Sequence, residues 1–289
     1  FTNTVDGNTI TVLDTGSITT TGNSAHGIFN RGPNSETTVS GGIVTGGDFA
    51  SGITNLYGSH KITVSGSIGT EGRYAHGINN GGSNSKTNVS GSITTTGDNA
   101  NGIYNDDLSN GGSNNETIVS GSITTTGDNA QGIYNDGDTN KTTISGTITT
   151  TGDNAHGIGN DGDVNKATIS GYIKATGANA AALYNEDGHH NSFTLNEGAT
   201  IIGDVLAKDD ATNSKLIFNL GSSTSYAYSV SGKGAGIGAG QWAFSDLDGR
   251  TQLVTTSGIG CTTIADAGND TCNLVTAVGN GNAETQNEL

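Results

Sequence analysis

Apolar residues recur along this chain at a long, fixed interval and not with the period of a helix. An isoleucine follows "GS" or its equivalent once per repeat, and successive copies lie 25, 25, 25, 30, 25 and 25 residues apart. Self-similarity at such a period is typical of solenoid architectures. The single longer step coincides with an insertion within Asp106–Gly112. The isoleucines are Ile18, Ile43, Ile68, Ile93, Ile123, Ile148 and Ile173.

Each repeat contains three short segments of β-branched residues, such as TTVSG, SITTTG and AxGIxN, separated by Gly, Asn and Asp. Segments of this length and composition predict strands, not helices. We call residues at equivalent positions of the repeats a column. One unit cannot bury its own apolar side, but stacked units place like residues on like. The sequence therefore predicts an all-β, right-handed, single-stranded parallel β-helix (β-solenoid) with three short strands per ~25-residue coil, stacked about 4.8 Å apart.

One column contains only asparagine, and it predicts a structural ladder inside the coil. An inward amide at a corner can hydrogen-bond to the asparagines above and below it and tolerates left-handed backbone. A row of ligand-binding amides is the alternative. The ladder comprises Asn30, Asn55, Asn80, Asn105, Asn135, Asn160 and Asn185.

The regular period fades after Asn185, and the pattern predicts three parts. Residues 1–196 are the regular repeats, 197–256 are C-terminal coils with an aromatic cap, and 257–289 are a disulfide loop and linker tail. The cap is expected around Trp242 and Phe244. Cys261 and Cys272 have no histidine cluster near them, which favours a disulfide over a metal or redox site.

Composition narrows the function. Apolar residues make up only 31% of the chain, and the net charge is −16 with a pI near 4.4. Nucleic-acid binding requires basic surface, so this charge argues against it. No apolar run approaches the roughly 20 residues of a membrane span, so we expect no direct membrane insertion in this segment.

An aromatic row is the candidate binding site. The residue before each ladder asparagine faces outward by strand alternation, and four repeats carry an aromatic there: Phe29, Tyr104, Tyr134 and Tyr184. Exposed tyrosines in a row are a common contact surface for proteins or sugars. Ordinary cross-strand stacking is the alternative.

Aspartates of adjacent coils form a candidate calcium site at Asp136, Asp138, Asp161 and Asp163. Like charges about 5 Å apart repel unless a cation lies between them. Exposed, solvated turns are the alternative, and we expect no cofactor other than calcium.

No catalytic residue is predicted. The chain has no serine-hydrolase elbow and no histidine-rich zinc motif. The aspartates Asp98, Asp128 and Asp153 follow turn glycines and indicate turn chemistry. The column of His26, His76 and His156 is mixed in composition, so we expect a solvent-facing corner.

The repeat, exemplified by TITTTGDNAHGI, and the GATIIGDV that follows the array resemble the passenger domains of bacterial autotransporters (type V secretion) over about residues 1–255. The stretch from Trp242 to Val254 is similar to the stabilising region at the C-terminal end of such passengers. The resemblance implies the exterior or the outer-membrane surface of a Gram-negative cell. It implies adhesion or aggregation more often than catalysis.

Three functional hypotheses follow. The first is a non-catalytic surface adhesin or aggregation module, whose partner is a host or neighbouring-cell protein or glycan, or a copy of itself. The second is a self-assembling structural subunit of an extracellular fibre or matrix, because solenoid ends invite strand addition. The third is a polysaccharide-acting enzyme.

Overall fold

The chain forms a parallel β-solenoid of about nine turns, with three strands per coil, as predicted. The fold is that of a computed structural model, which describes residues 1–106, 114–221, 225–231, 236, 238–246, 251–257, 263, 272 and 274–279. Among these residues there is no helix. Strands at equivalent positions of successive coils pair to form three sheets that run the length of the solenoid.

The strands of each sheet follow one another in chain order, except at the C-terminal end of sheet 1. Sheet 1 contains β1 (Thr2–Asn3), β4 (Ile28–Asn30), β7 (Ile53–Asn55), β10 (Ile78–Asn80), β13 (Ile103–Asn105), β16 (Ile133–Asn135), β19 (Ile158–Asn160), β22 (Ala181–Asn185), β25 (Asp204–Ala207), β27 (Ser225–Ser231), β30 (Leu274–Gly279) and β29 (Thr251–Ser257). Sheet 2 contains β2 (Thr9–Val12), β5 (Glu36–Val39), β8 (Lys61–Val64), β11 (Lys86–Val89), β14 (Glu116–Val119), β17 (Lys141–Ile144), β20 (Lys166–Ile169), β23 (Ser192–Asn196), β26 (Ser214–Asn219) and β28 (Trp242–Asp246). Sheet 3 contains β3 (Ser17–Thr20), β6 (Gly42–Thr45), β9 (Ser67–Thr70), β12 (Ser92–Thr95), β15 (Ser122–Thr125), β18 (Thr147–Thr150), β21 (Tyr172–Ala175) and β24 (Thr200–Ile202).

The pairing register follows the sequence columns. Ile93 lies opposite Ile123, and Val119 opposite Ile144. Across the 30-residue step the register is also kept, with Ile103 opposite Ile133. The insertion therefore leaves the stack unbroken, although residues 107–113 lie outside the described part of the chain.

The core is a column of small and β-branched side chains, because each short strand can point only one or two residues inward. Ile43, Ile53 and Val64 are completely buried. The turn glycines bring successive coils into close contact: a Cβ on Gly102 would collide with Cγ2 of Ile123 in the next coil. A side chain at position 102 would therefore have to displace Ile123 or the backbone of Gly132.

The seven asparagines form a continuous, fully buried ladder. Each Nδ2 donates to Oδ1 of the asparagine in the next coil, over distances of 2.7 to 3.2 Å. Asn3 extends the ladder, since its Nδ2 lies 3.5 Å from Oδ1 of Asn30. At the other end Nδ2 of Asn185 has no partner among the described residues. In four of the coils a threonine, such as Thr87, accepts a second bond from the same amide.

The C-terminal end closes with aromatic residues. The Trp242 ring is buried and lies 5.9 Å from that of Phe193. Strand β30 runs antiparallel to both β27 and β29. It lies in the region predicted as a linker tail, and it is a strand there because Val275 and Ala277 alternate into the core. Cys272 is buried, but its predicted partner Cys261 lies outside the described residues, so the disulfide stays a prediction.

Candidate binding groove

A groove of about 620 Å³ follows the corner where the chain passes from sheet 3 into sheet 1. It crosses six consecutive coils, which at ~4.8 Å per coil gives a length of about 24 Å. We call it the tyrosine groove. Its lining residues are Tyr74, His76, Asn99, Asn101, Tyr104, Asn129, Gln131, Tyr134, Asn154, His156, Asn179, Tyr184, Glu186, Leu206 and Lys208.

One wall is a row of turn residues in left-handed conformation. Asn99, Asn129, Asn154 and Asn179 have φ between 54° and 57°. Asparagine tolerates this region well, which explains why it recurs in this column. The turns thus place one amide side chain in each of four successive coils of the groove, at the coil spacing.

Aromatic rings form the floor in two blocks. The rings of His76 and Tyr104 lie 4.9 Å apart, and Tyr104 stacks on Tyr134 at 5.6 Å with an interplanar angle of 9°. In the second block His156 stacks on Tyr184 at 3.8 Å. The two blocks meet at Gly159, which replaces a tyrosine in this column.

The structure brings together three of the four residues of the predicted aromatic row. Phe29 lies in the first coils, against His26 and below the guanidinium of Arg31. The row is also less exposed than expected. Tyr184 is only 4% exposed, because His156 covers one of its faces and the ring lies within 5.6 Å of the Lys208 ammonium. Tyr104 and Tyr134 are half-buried and both line the groove.

Carboxylates hold the tyrosine hydroxyls. The Tyr104 hydroxyl donates to Asp136 at 2.6 Å, and the Tyr134 hydroxyl donates to Asp161 at 2.9 Å. Burial, reinforced by these acidic neighbours, raises the pKa of both tyrosines. Burial also raises the pKa of Asp161, although the bond from Tyr134 opposes that rise.

The other two aspartates of the candidate calcium site bind backbone. Oδ1 of Asp138 accepts the N–H of Asp163, and Oδ1 of Asp163 accepts the N–H of His189. Among the described residues, no group of three or more His, Cys, Asp or Glu side chains is arranged to hold a metal. Calcium binding stays a prediction.

The turn aspartates have the same kind of role one corner away. Oδ1 of Asp98 accepts the N–H of Asp128, and Oδ1 of Asp128 accepts that of Asp153. A side chain of one coil therefore satisfies a backbone donor of the next.

The expectation of a solvent-facing histidine corner was wrong. His76 and His156 are buried, and burial lowers the pKa of each to about 4. Each Nδ1 accepts a backbone N–H from the next coil, at 3.0 Å from Asn101 and 2.9 Å from Ala181. The rings are therefore neutral acceptors, with Tyr184 stacked on His156 and Tyr104 tilted against His76.

Gln131 departs from the pattern of this column. Asn101 uses Oδ1 to accept the backbone N–H of Gln131 at 2.7 Å, as the histidines do with Nδ1. The Gln131 side chain instead lies over Gly159, where a Cβ would collide with its Oε1. Gln131 is 8% exposed, and its Oε1 has no hydrogen-bond partner among the described residues.

An ion pair closes the C-terminal end of the groove. Lys208 Nζ lies 2.7 Å from Oε1 of Glu186. The bond to Glu186 is the main cause of the raised pKa of Lys208. The end of the groove thus combines a positive charge with the face of Tyr184.

Sequence reasoning missed the turn wall and the buried acceptors. The signal for the wall was the recurrence of asparagine two residues after the turn glycine. Phe49 and Tyr74 occupy the same column with φ of 59° and 55°, and their rings stack 5.1 Å apart. The exposed ring of Tyr74 lies at the N-terminal end of the groove.

No protein-family model, curated protein or solved structure matches this chain. Within the described ranges, no helix has the length and apolar character needed to cross a membrane. The fold and the groove are thus the basis for any functional assignment.

Proposed function

We propose that this protein is a non-catalytic, extracellular adhesin or aggregation module that binds its partner in the tyrosine groove. The observation that carries the proposal is the groove itself, because six coils contribute side chains to one continuous concavity. Binding sites are typically concave and combine aromatic surface with a few placed polar groups.

The chemistry of the lining favours recognition over catalysis. The hydroxyls of Tyr104 and Tyr134 bind Asp136 and Asp161, and the histidines use Nδ1 to bind backbone. These bonds hold the aromatic floor of the groove in place. Rigid rings with fixed hydroxyls suit a preformed contact surface, since little side-chain freedom is lost on binding.

The extracellular location rests on the resemblance to autotransporter passengers. The parallel solenoid of about nine turns is compatible with that origin. The net charge of −16 and the apolar content of 31% suit a chain that works in solvent outside the cell. The passenger assignment is part of the proposal.

Binding of labelled protein to host epithelial cells and to bacterial cells, measured by flow cytometry, tests the proposal. We expect saturable binding by the wild type and clear loss with the double variant Tyr104→Ala/Tyr134→Ala. Thr149→Ala is the matched control, because Thr149 faces outward on sheet 3, away from the groove. Circular dichroism checks that each variant keeps its β-sheet signal.

Light scattering across protein concentration, with calcium or with a chelator, separates the self-association hypotheses. If particle mass rises with concentration and the tyrosine variants abolish the rise, a second copy is the ligand of the groove. A rise in particle mass that persists in those variants would favour fibre assembly through other surfaces. Absence of binding to any cell type, combined with strictly monomeric protein, would contradict the proposed function.

A further inference from the structure

The break between the two aromatic blocks is the most informative point of the groove. Around it the column has tyrosine at 104, 134 and 184, but glycine at 159. Gly159 lies within strand β19, and its φ is outside the left-handed region. The backbone therefore does not require glycine here. A side chain is missing where the groove floor would otherwise be continuous.

The amide of Gln131 lies at this break and presents an unpaired acceptor. A Cβ at position 159 would lie against Oε1 of Gln131 and 3.2 Å from Cδ2 of Tyr134. Gln131 is more than nine-tenths buried, and its Oε1 has no partner among the described residues. A buried acceptor without a donor is costly, at roughly 1–3 kcal/mol, and it points to a donor supplied by a ligand.

We infer that the tyrosine groove binds a neutral, unbranched oligosaccharide along the solenoid axis, with one hydroxyl or acetamido N–H donating to Oε1 of Gln131 above Gly159. The inference rests on the proposed function and names the ligand of the same site. The exposed parts of the half-buried Tyr104 and Tyr134 rings provide apolar surface against which pyranose rings can pack. The turn amides of four coils provide hydrogen bonds.

The repeat of the groove matches a repeating ligand. One turn asparagine per coil lines the wall, from Asn99 to Asn179. If each sugar unit advances by about one coil step of ~4.8 Å, the groove accommodates about five units. Four of these units would then meet the same kind of amide, from Asn99 to Asn179.

The charges select a neutral chain. Three carboxylates follow one another beside the tyrosines, those of Asp136, Asp161 and Glu186. Among the described lining residues, Lys208 is the one lysine or arginine. With a net charge of −16, the protein repels acidic sugars at the approach to the groove. The neutral imidazoles of His76 and His156 add no positive charge.

A glycan also suits the floor better than an extended peptide does. Peptides that bind to sheets use unpaired backbone at a sheet edge. The strands under the groove are paired on both sides: β16 pairs with β13 and β19, and β19 with β16 and β22. The groove therefore offers side chains to its ligand, and no free strand edge.

Calorimetric titration of the full chain with neutral tri- to hexasaccharides of glucose, mannose, galactose or N-acetylglucosamine, in α and β linkage, tests the inference. We expect at least one series to bind, with affinity that rises from the trisaccharide to the pentasaccharide and then levels off. Gly159→Tyr places a ring where the Gln131 amide lies and so displaces its Oε1. It should weaken binding about tenfold or more, the loss expected for a displaced hydrogen bond.

Gly69→Tyr is the matched control. Gly69 lies in β9 on sheet 3, and a Cβ there meets nothing within 4 Å. This variant should bind as the wild type does. Gln131→Ala should also weaken binding, and Gly159→Ala gives a smaller perturbation should the tyrosine variant fail to fold.

The outcomes separate the ligand class from the function. If no neutral hexaose binds the wild type, the glycan inference is overturned. Groove-dependent cell binding that is lost after protease treatment of the cells but kept after periodate oxidation of their glycans would then identify a polypeptide ligand, and the proposed function would stand. The glycan inference would also be overturned by a preference for acidic oligosaccharides, or by equal affinity of Gly159→Tyr and the wild type. Failure of wild-type cell binding contradicts the proposed function itself.

Discussion

Nδ2 of Asn105 donates to Oδ1 of Asn135 at 2.8 Å, although 30 residues instead of 25 separate the two. The ladder thus passes the insertion without a break. Asn80 donates to Asn105 at 3.0 Å from the coil before. Because these amides are fully buried, the ladder fixes the register of one coil on the next.

Replacement of Asn105 by leucine should destabilise the protein by about 3–5 kcal/mol, because it leaves a donor on Asn80 and an acceptor on Asn135 unpaired. Urea denaturation followed by circular dichroism measures the change. Asn88→Ala is the control, since Asn88 faces outward from β11 and should cost less than about 1 kcal/mol. Equal losses in the two variants would contradict a special role for the ladder.

The coil and its core could be predicted because strand alternation and the 25-residue period act locally. Ile93 and Val119 point inward for reasons visible within one repeat. The groove could not be predicted in this way. Alternation places Tyr184 and His156 outside the coil, but it does not show that the turn at Asn154 and the next coils cover them.

The break at Gly159 shows the same limit. From the sequence, a glycine in a tyrosine column is simply a missing side chain. Only the three-dimensional arrangement shows that Gln131, from the preceding coil, occupies that space and leaves its Oε1 unpaired. Contacts between columns depend on side-chain length and rotamer, which the repeat does not encode.

Stability should fall as the pH drops from about 6.5 to 4. The pKa of His76 and of His156 is about 4 in the folded protein, below the unfolded value of 6.5. The unfolded state therefore binds more protons in this window, and folding is weakened as pH falls. Each shift corresponds to roughly 3 kcal/mol, once the pH is below both values.

Thermal melts of the wild type and of His76→Asn/His156→Asn from pH 7 to 4 check this expectation. Asparagine keeps the backbone acceptor, as Asn101 does in the same column. The variant should lose most of the pH dependence that the histidines cause. Asp161 contributes with the opposite sign, because its raised pKa favours the folded state at low pH, and it is present in both proteins. Identical melting profiles would refute the assignment.

Tyr134→Phe should cost about 1–2 kcal/mol of stability. It removes the hydroxyl that donates to Asp161 and leaves that half-buried carboxylate without this donor, while the stack on Tyr104 is kept. Urea denaturation at pH 7 measures the difference. Tyr57→Phe is the control, because Tyr57 is 58% exposed and should show no change. Unchanged stability of Tyr134→Phe would show that the hydroxyl bond makes no net contribution to the free energy of unfolding.

Phe49 and Tyr74 should lower the stability of the protein while they extend its binding surface. Bulky residues in left-handed backbone are strained by roughly 1–3 kcal/mol, whereas a stacked pair contributes about 0.5–1.5 kcal/mol. Phe49→Asn/Tyr74→Asn should therefore raise stability by about 1 kcal/mol, since asparagine fits this column in the later coils. Asn129→Ala places alanine in the same left-handed conformation and should lower the stability.

The same double variant tests why strain is kept at this corner. The two rings stack at 5.1 Å and are about half exposed, and Tyr74 borders the tyrosine groove. If the pair extends the binding surface, the variant melts at a higher temperature and binds cells more weakly. Higher stability with unchanged binding would confine the site to the coils from Asn99 onward. A lower melting temperature would show that stacking outweighs strain at these two turns.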